Sequence, residues 1–202
     1  MVGVYSLNLP LALTVSRIAV CPAFVAVYLY PKYLGLGGGV QPVILIIISI
    51  LMLVTDALDG YLARKWHKVT KLGKLLDPMS DCIVFLSIFF TFTRYPVELP
   101  LWIPILIMTR EISVVYLRSL MALDQKAMGA RLTGKIKTIF QSIALFMILG
   151  GMFFFQQGYT NLEIFQGAAA FLMVLVALVS VASLLEYGIA SKETLMKSFY
   201  SS

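Results

Sequence analysis

The chain has 202 residues, room for one domain or two small ones. Of these 60% are hydrophobic and 13% charged, against roughly 25% charged in soluble domains, so a water-soluble globular protein and a disordered chain are both excluded. The excess of 16 basic over 10 acidic residues fits the cytoplasmic loops of a membrane protein better than a nucleic-acid surface.

An apolar helix of about 20 residues crosses about 30 Å of hydrocarbon. Six stretches of that kind follow one another, at about residues 11–30, 40–58, 75–92, 99–120, 136–155 and 164–185. They predict a single all-α integral membrane domain over 1–202, a bundle of six transmembrane helices. The breaks carry turn signals: Pro31 with the glycine run 35–39, Arg94-Tyr95-Pro96, and Gln156-Gln157-Gly158. Asp77 before Pro78 reads as a helix start, and Glu186 as ending the sixth helix and capping the bundle at the interface. No basic residue precedes the first apolar run and Arg17 sits inside it, which argues against a cleaved signal peptide. Cys21 and Cys82 both lie in apolar stretches, so neither a disulfide framework nor a zinc site is expected.

Basic residues orient the bundle. Arg64, Lys65, Lys68, Lys71 and Lys74 fall between the second and third stretches, and Lys126, Arg131, Lys135 and Lys137 between the fourth and fifth. Lys192 and Lys197 follow the sixth, whereas Lys32 and Arg94 alone fall on the other side. The positive-inside bias therefore places both termini and the two basic loops in the cytoplasm.

Acidic residues at membrane depth are costly and point to function. Asp56 and Asp59 are three apart, Asp77 and Asp81 four apart, so each pair shares a helical face. Antiparallel packing of the second and third helices brings the four carboxylates together at the cytoplasmic boundary, where like charges oppose full ionisation. Two divalent cations, Mg²⁺ or Mn²⁺, bound by hard oxygen ligands would relieve that repulsion. A proton relay in a small cation or proton-coupled transporter would relieve it differently. The plainest alternative is helix capping and pairing with the nearby lysines.

Between Asp56 and Asp81 the chain reads Asp56-x₂-Asp59-Gly60-x₂-Ala63-Arg64-x₈-Gly73-x₃-Asp77-x₃-Asp81. This resembles the signature of the CDP-alcohol phosphotransferase family, with all fixed positions and intervals intact. Average composition makes such a match a chance on the order of 10⁻¹⁰ per starting position. Gly60 and Ala63 lie on the face of Asp56 and Asp59 and lack bulk, so a nucleotide can pack against them; Arg64 is placed to meet phosphate oxygens. The resemblance implies the family's membrane fold. It also implies that Asp56, Asp59, Asp77 and Asp81 hold two metals, that Asp81 is the general base, and that Gly60, Ala63, Arg64, Thr70 and Gly73 serve the CDP-diacylglycerol side.

Three further segments resemble family members whose acceptor is glycerol 3-phosphate. They are Asn8-Leu9-Pro10 with Leu13, Thr14 and Arg17; Arg110-Glu111-Ile112 with Arg118; and Gly134-Lys135-Ile136-Lys137-Thr138 with Gln141. Leu11 replaces an expected Asn, and Cys82 a lysine common after the last aspartate. Arg110, Arg118, Lys135 and Lys137 cluster toward the cytoplasmic side and suit an acceptor phosphate. The expected reaction is phosphatidyl transfer from CDP-diacylglycerol to glycerol 3-phosphate in a bacterial cytoplasmic membrane, with the active site on the cytoplasmic side. Inositol phosphate, inositol and serine are the alternative acceptors. The resemblance further implies a homodimer, and nothing points to nucleic acid.

Overall fold

A computed structural model describes residues 9–65, 71–123 and 132–200. Within them lie six helices: α1 (Leu9–Leu29), α2 (Val40–Lys65), α3 (Lys71–Thr91), α4 (Trp102–Leu123), α5 (Leu132–Gln156) and α6 (Leu162–Tyr200). They form two compact units, α1–α3 ending at Thr91 and α4–α6 beginning at Phe92.

In the first unit α1 packs on both α2 and α3. The buried side chains fall at helical spacing: Cys21, Phe24 and Tyr28 on α1, Leu45 and Met52 on α2, Val84, Phe85, Ile88 and Phe89 on α3. Ser49 is buried on the α2 stripe and donates to the Leu45 carbonyl at 2.8 Å, satisfying a hydroxyl that lipid could not. The connection after α1 uses its glycines, since Gly35 and Gly39 take φ of 66° and 81°. Buried Gln41 then reaches back from α2, its amide donating to the Tyr28 and Val27 carbonyls at 2.9 and 3.2 Å. Those two carbonyls lie in the last turn of α1, where helix carbonyls need donors from outside the helix's own ladder.

In the second unit α6 packs against α4 and α5. Ile103, Ile107, Val114 and Leu117 of α4 are buried, as are Leu145, Ile148, Leu149 and Met152 of α5 and Phe165, Ala169, Met173, Val176 and Ala177 of α6. Phe155 stacks on Phe165 with centroids 5.6 Å apart, and a Cβ at Gly151 would stand 3.1 Å from the Phe165 ring. Gln166 pins the segment before α4, donating to the Pro96 carbonyl and to Glu98, each at 3.0 Å.

The outward faces are as apolar as the cores. Ile47, Leu51 and Val54 on α2, Ile139, Ile143 and Met147 on α5, and Phe171, Leu178 and Leu185 on α6 are all exposed, which suits lipid and not water. Among the described residues, three stretches are long and apolar enough to cross a membrane: Val40–Leu58, Ile136–Gln156 and Leu162–Ile189. Shorter apolar stretches occupy Ser16–Leu29 of α1 and Pro78–Thr91 of α3. The chain is an integral membrane protein.

The apolar stretches and the helices do not end together. α2 runs past 58 to Lys65, α5 begins at Leu132 before 136, and α6 passes 185 to Tyr200. Glu186 therefore stands inside α6 and does not end it. α4 starts at Trp102, three residues later than the apolar run from 99, because Pro100 sits in the preceding turn. Likewise α3 begins at Lys71, so Pro78 lies within the helix and Asp77 does not open it. Lipid sets the length of the apolar run, whereas backbone hydrogen bonds carry the helix on into water through good helix formers.

Candidate active site

Asp56 lies on α2 and Asp81 on α3, and Arg17 of α1 joins them. One guanidinium nitrogen, Nη1, donates to Oδ1 of Asp81 at 2.7 Å and also to Oδ1 of Asp56. Arg17 is 3% exposed, while the two carboxylates are 40% and 41% exposed. The cation is therefore buried beneath a pair of acids that open outward. An arginine within an apolar helix is tolerated when it is paired in this way. Sequence reasoning used Arg17 as part of an N-terminal segment and as a charge against a signal peptide, and missed this contact. The available signal was its isolation: a lone cation inside an apolar run requires an anion from another helix.

The remaining motif residues are placed by the helices that carry them. Asp56, Asp59, Gly60 and Ala63 follow at i, i+3, i+4 and i+7 along α2 and so share one face. Gly73, Asp77 and Asp81 recur every fourth residue on α3. The side chains of Asp59, Ala63, Arg64 and Asp77, the surroundings of Gly60 and Gly73, and the whole of Thr70 lie outside the described residues. Among the described residues no group of three or more metal-binding side chains is present. Even so, carboxylates from two helices converge on one positive charge, and all their donor atoms are hard oxygens, so the donor set fits Mg²⁺ or Mn²⁺.

The second unit holds a separate charged layer. Arg110 Nη1 donates to Oε2 of its neighbour Glu111 at 3.1 Å, and Nη2 donates to Ser183 Oγ of α6 at 2.7 Å. Tyr187 lies beneath the same guanidinium, with its ring centroid 5.9 Å away. Lys137 of α5 pairs with the other oxygen of Glu111. Arg110, Glu111, Lys137 and Ser183 are all buried. Two buried cations thus meet at one carboxylate in a region of low dielectric. The side chains of Arg118 and Lys135 lie outside the described residues, although α4 and α5 carry those positions. Sequence reasoning singled out Arg110 and Lys137 but not Ser183 or Tyr187, whose roles depend on how α6 packs.

Residues 7–182 match the CDP-alcohol phosphatidyltransferases. The chain belongs to the CDP-alcohol phosphatidyltransferase family. Family members are enzymes, so the transporter reading is set aside. The spaced aspartates of α2 and α3 and the charged layer of α4–α6 both carry positions inside the matched span. A CDP-diacylglycerol–glycerol-3-phosphate 3-phosphatidyltransferase of Bacillus subtilis is 36% identical over 148 residues, covering 70% of this chain and 76% of that protein. One of the same name from Haemophilus influenzae is 31% identical over 192 residues, covering 94% of this chain and 96% of that protein. A CMP-forming cardiolipin synthase of Streptomyces coelicolor is 35% identical over 105 residues, covering 52% of this chain and 47% of that protein. Relatives of this chain thus carry different names, and the acceptor must be argued from residues.

Proposed function

We propose that the protein transfers the phosphatidyl group of CDP-diacylglycerol to sn-glycerol 3-phosphate, giving phosphatidylglycerol phosphate and CMP. The observation that carries this reading is the convergence of Asp56 and Asp81 on one positive charge within an intact family motif. The names of the Bacillus and Haemophilus relatives support the acceptor. So do the two buried cations that meet at Glu111, since a phosphomonoester needs cationic partners and inositol or serine do not.

Asp56, Asp59, Asp77 and Asp81 would hold two divalent ions, Mg²⁺ or Mn²⁺. When bound, these supply charge neutralisation and polarisation of the pyrophosphate oxygens. Gly60 and Ala63 give the nucleotide a face without bulk, and Arg64, Thr70 and Gly73 complete the CDP-diacylglycerol side. Arg110, Arg118, Lys135 and Lys137 bind the acceptor phosphate. Asp81 accepts the proton of the acceptor's primary hydroxyl. The hydroxyl oxygen forms a bond to the phosphorus that bears the diacylglycerol, and the bond from that phosphorus to the CMP oxygen breaks, its electron pair leaving with CMP. No covalent enzyme intermediate is required.

In this reading the six helices are six spans of one membrane domain, with both termini and the catalytic residues on the cytoplasmic side of a bacterial membrane. A homodimer accords with the family resemblance. The decisive experiment incubates purified protein with CDP-diacylglycerol, Mg²⁺ or Mn²⁺ and a panel of acceptors, and follows CMP. CMP released with glycerol 3-phosphate is the expected result. Release with inositol phosphate, inositol or serine alone replaces the acceptor, and no release with any acceptor refutes the reading.

A further inference from the structure

Gln141 lies on α5, four residues beyond Lys137 and so on the same helical face. It is 0% exposed, yet neither its Oε1 nor its Nε2 has a hydrogen-bond partner. A carboxamide can make up to four hydrogen bonds, and leaving all of them unmade away from water is strongly unfavourable. Ser180 of α6 presents a second buried hydroxyl without a partner in the same unit. Arg110 and Lys137 of the same unit are buried cations that meet at Glu111. An apolar residue at position 141 would fill the interior of this helical unit at less cost. The polar group there is explained by a ligand that brings a hydroxyl to it.

We propose that Gln141 is a specificity-determining residue whose amide hydrogen-bonds the secondary hydroxyl of the acceptor. This rests on the reading of Arg110 and Lys137 as ligands of the acceptor phosphate. Four residues along a helix advance roughly 6 Å, a span suited to a three-carbon phosphomonoester with its phosphate at Lys137 and its middle carbon at Gln141. The primary hydroxyl is consumed as the nucleophile. The secondary hydroxyl is thus the only group left to distinguish glycerol 3-phosphate from a simpler alcohol phosphate. A site that hydrogen-bonds a hydroxyl rejects the analogue lacking it, because its own buried polar group is then left unpaired.

The test compares kcat/KM for glycerol 3-phosphate and for propane-1,3-diol monophosphate, which lacks the secondary hydroxyl. Full-length wild type, Gln141→Met and Gln141→Asn are assayed in the same membrane mimetic. Wild type should prefer glycerol 3-phosphate about a hundredfold or more, and Gln141→Met should shrink that preference below about tenfold while using the deoxy acceptor as well as wild type does. Met matches Gln in length and removes an unpaired amide, so its thermal midpoint should not fall. Should Gln141→Met fail to fold, Gln141→Asn, which keeps the amide but shortens its reach, should lose the preference in its place. An undiminished preference in the folded variant overturns the role of Gln141 and leaves the proposed reaction standing. Wild type that uses neither phosphate but releases CMP with another acceptor overturns the proposed reaction and this inference with it.

Discussion

Replacing Arg17 by Gln perturbs the acid cluster most directly. The guanidinium donates to Asp81 at 2.7 Å and to Asp56, and it is 3% exposed. A hydrogen bond to a charged group contributes roughly 1.5–3 kcal/mol net. The carboxylates are 40% and 41% exposed, so water screens part of each attraction and the two contacts together contribute about 2–3 kcal/mol. In metal-free protein Arg17→Gln should lower the thermal midpoint accordingly. A divalent ion at the same oxygens must displace that guanidinium, so the variant should bind Mn²⁺ more tightly. The same 2–3 kcal/mol corresponds to roughly 30- to 140-fold in affinity. The measurement is a Mn²⁺ titration of substrate-free protein, with free ion read by electron paramagnetic resonance. Arg17→Lys keeps the charge but not the planar fork, and should fall between the two. Unchanged or weaker Mn²⁺ binding in Arg17→Gln would refute the reasoning, and so would Arg17→Lys behaving as wild type, since a distant charge effect would not tell the two cations apart.

Three other outcomes are expected. Asp81→Asn should abolish CMP release while weakening CDP-diacylglycerol binding by less than about tenfold, and near-normal turnover would remove Asp81 as the base. Glu111→Gln takes away the carboxylate shared by Arg110 and Lys137 and should cost on the order of 3–5 kcal/mol; thermal unfolding should show the loss and inorganic phosphate should restore part of it, whereas a midpoint unmoved by the substitution would contradict the shared pairing. Gly151→Ala sets a Cβ 3.1 Å from the Phe165 ring, which is held by stacking on Phe155. A gain of up to about 1 kcal/mol in helix propensity is outweighed by overpacking, so unfolding should show a net loss of about 1 kcal/mol with the acceptor KM unchanged.

Part of the candidate site is legible in the sequence. Asp56, Asp59, Asp77 and Asp81 stand out because ionisable groups beside lipid are rare and their intervals match helical faces. Arg110 stands out as a cation well inside one apolar run and Lys137 as one at the start of another, and the structure places both in one buried layer around Glu111. Arg17 was legible as a residue but not as a contact, because the partner of a lone buried cation lies 39 and 64 positions away. Helix ends were read poorly for a related reason. Hydropathy reports where lipid stops, and α2, α5 and α6 continue beyond it.

Membrane residence, the family and the acid motif follow from local properties: apolar run length, charge placement and fixed intervals within 26 residues. Each is set by how one segment meets its solvent or by the pitch of one helix, and the chain records both directly. Three helices had to pack before Arg17 could meet Asp56 and Asp81, and α4, α5 and α6 had to close before Gln141 was left buried without a partner. Such pairings depend on which faces of distant helices meet. Helices with apolar residues on nearly every side leave that choice to tertiary packing.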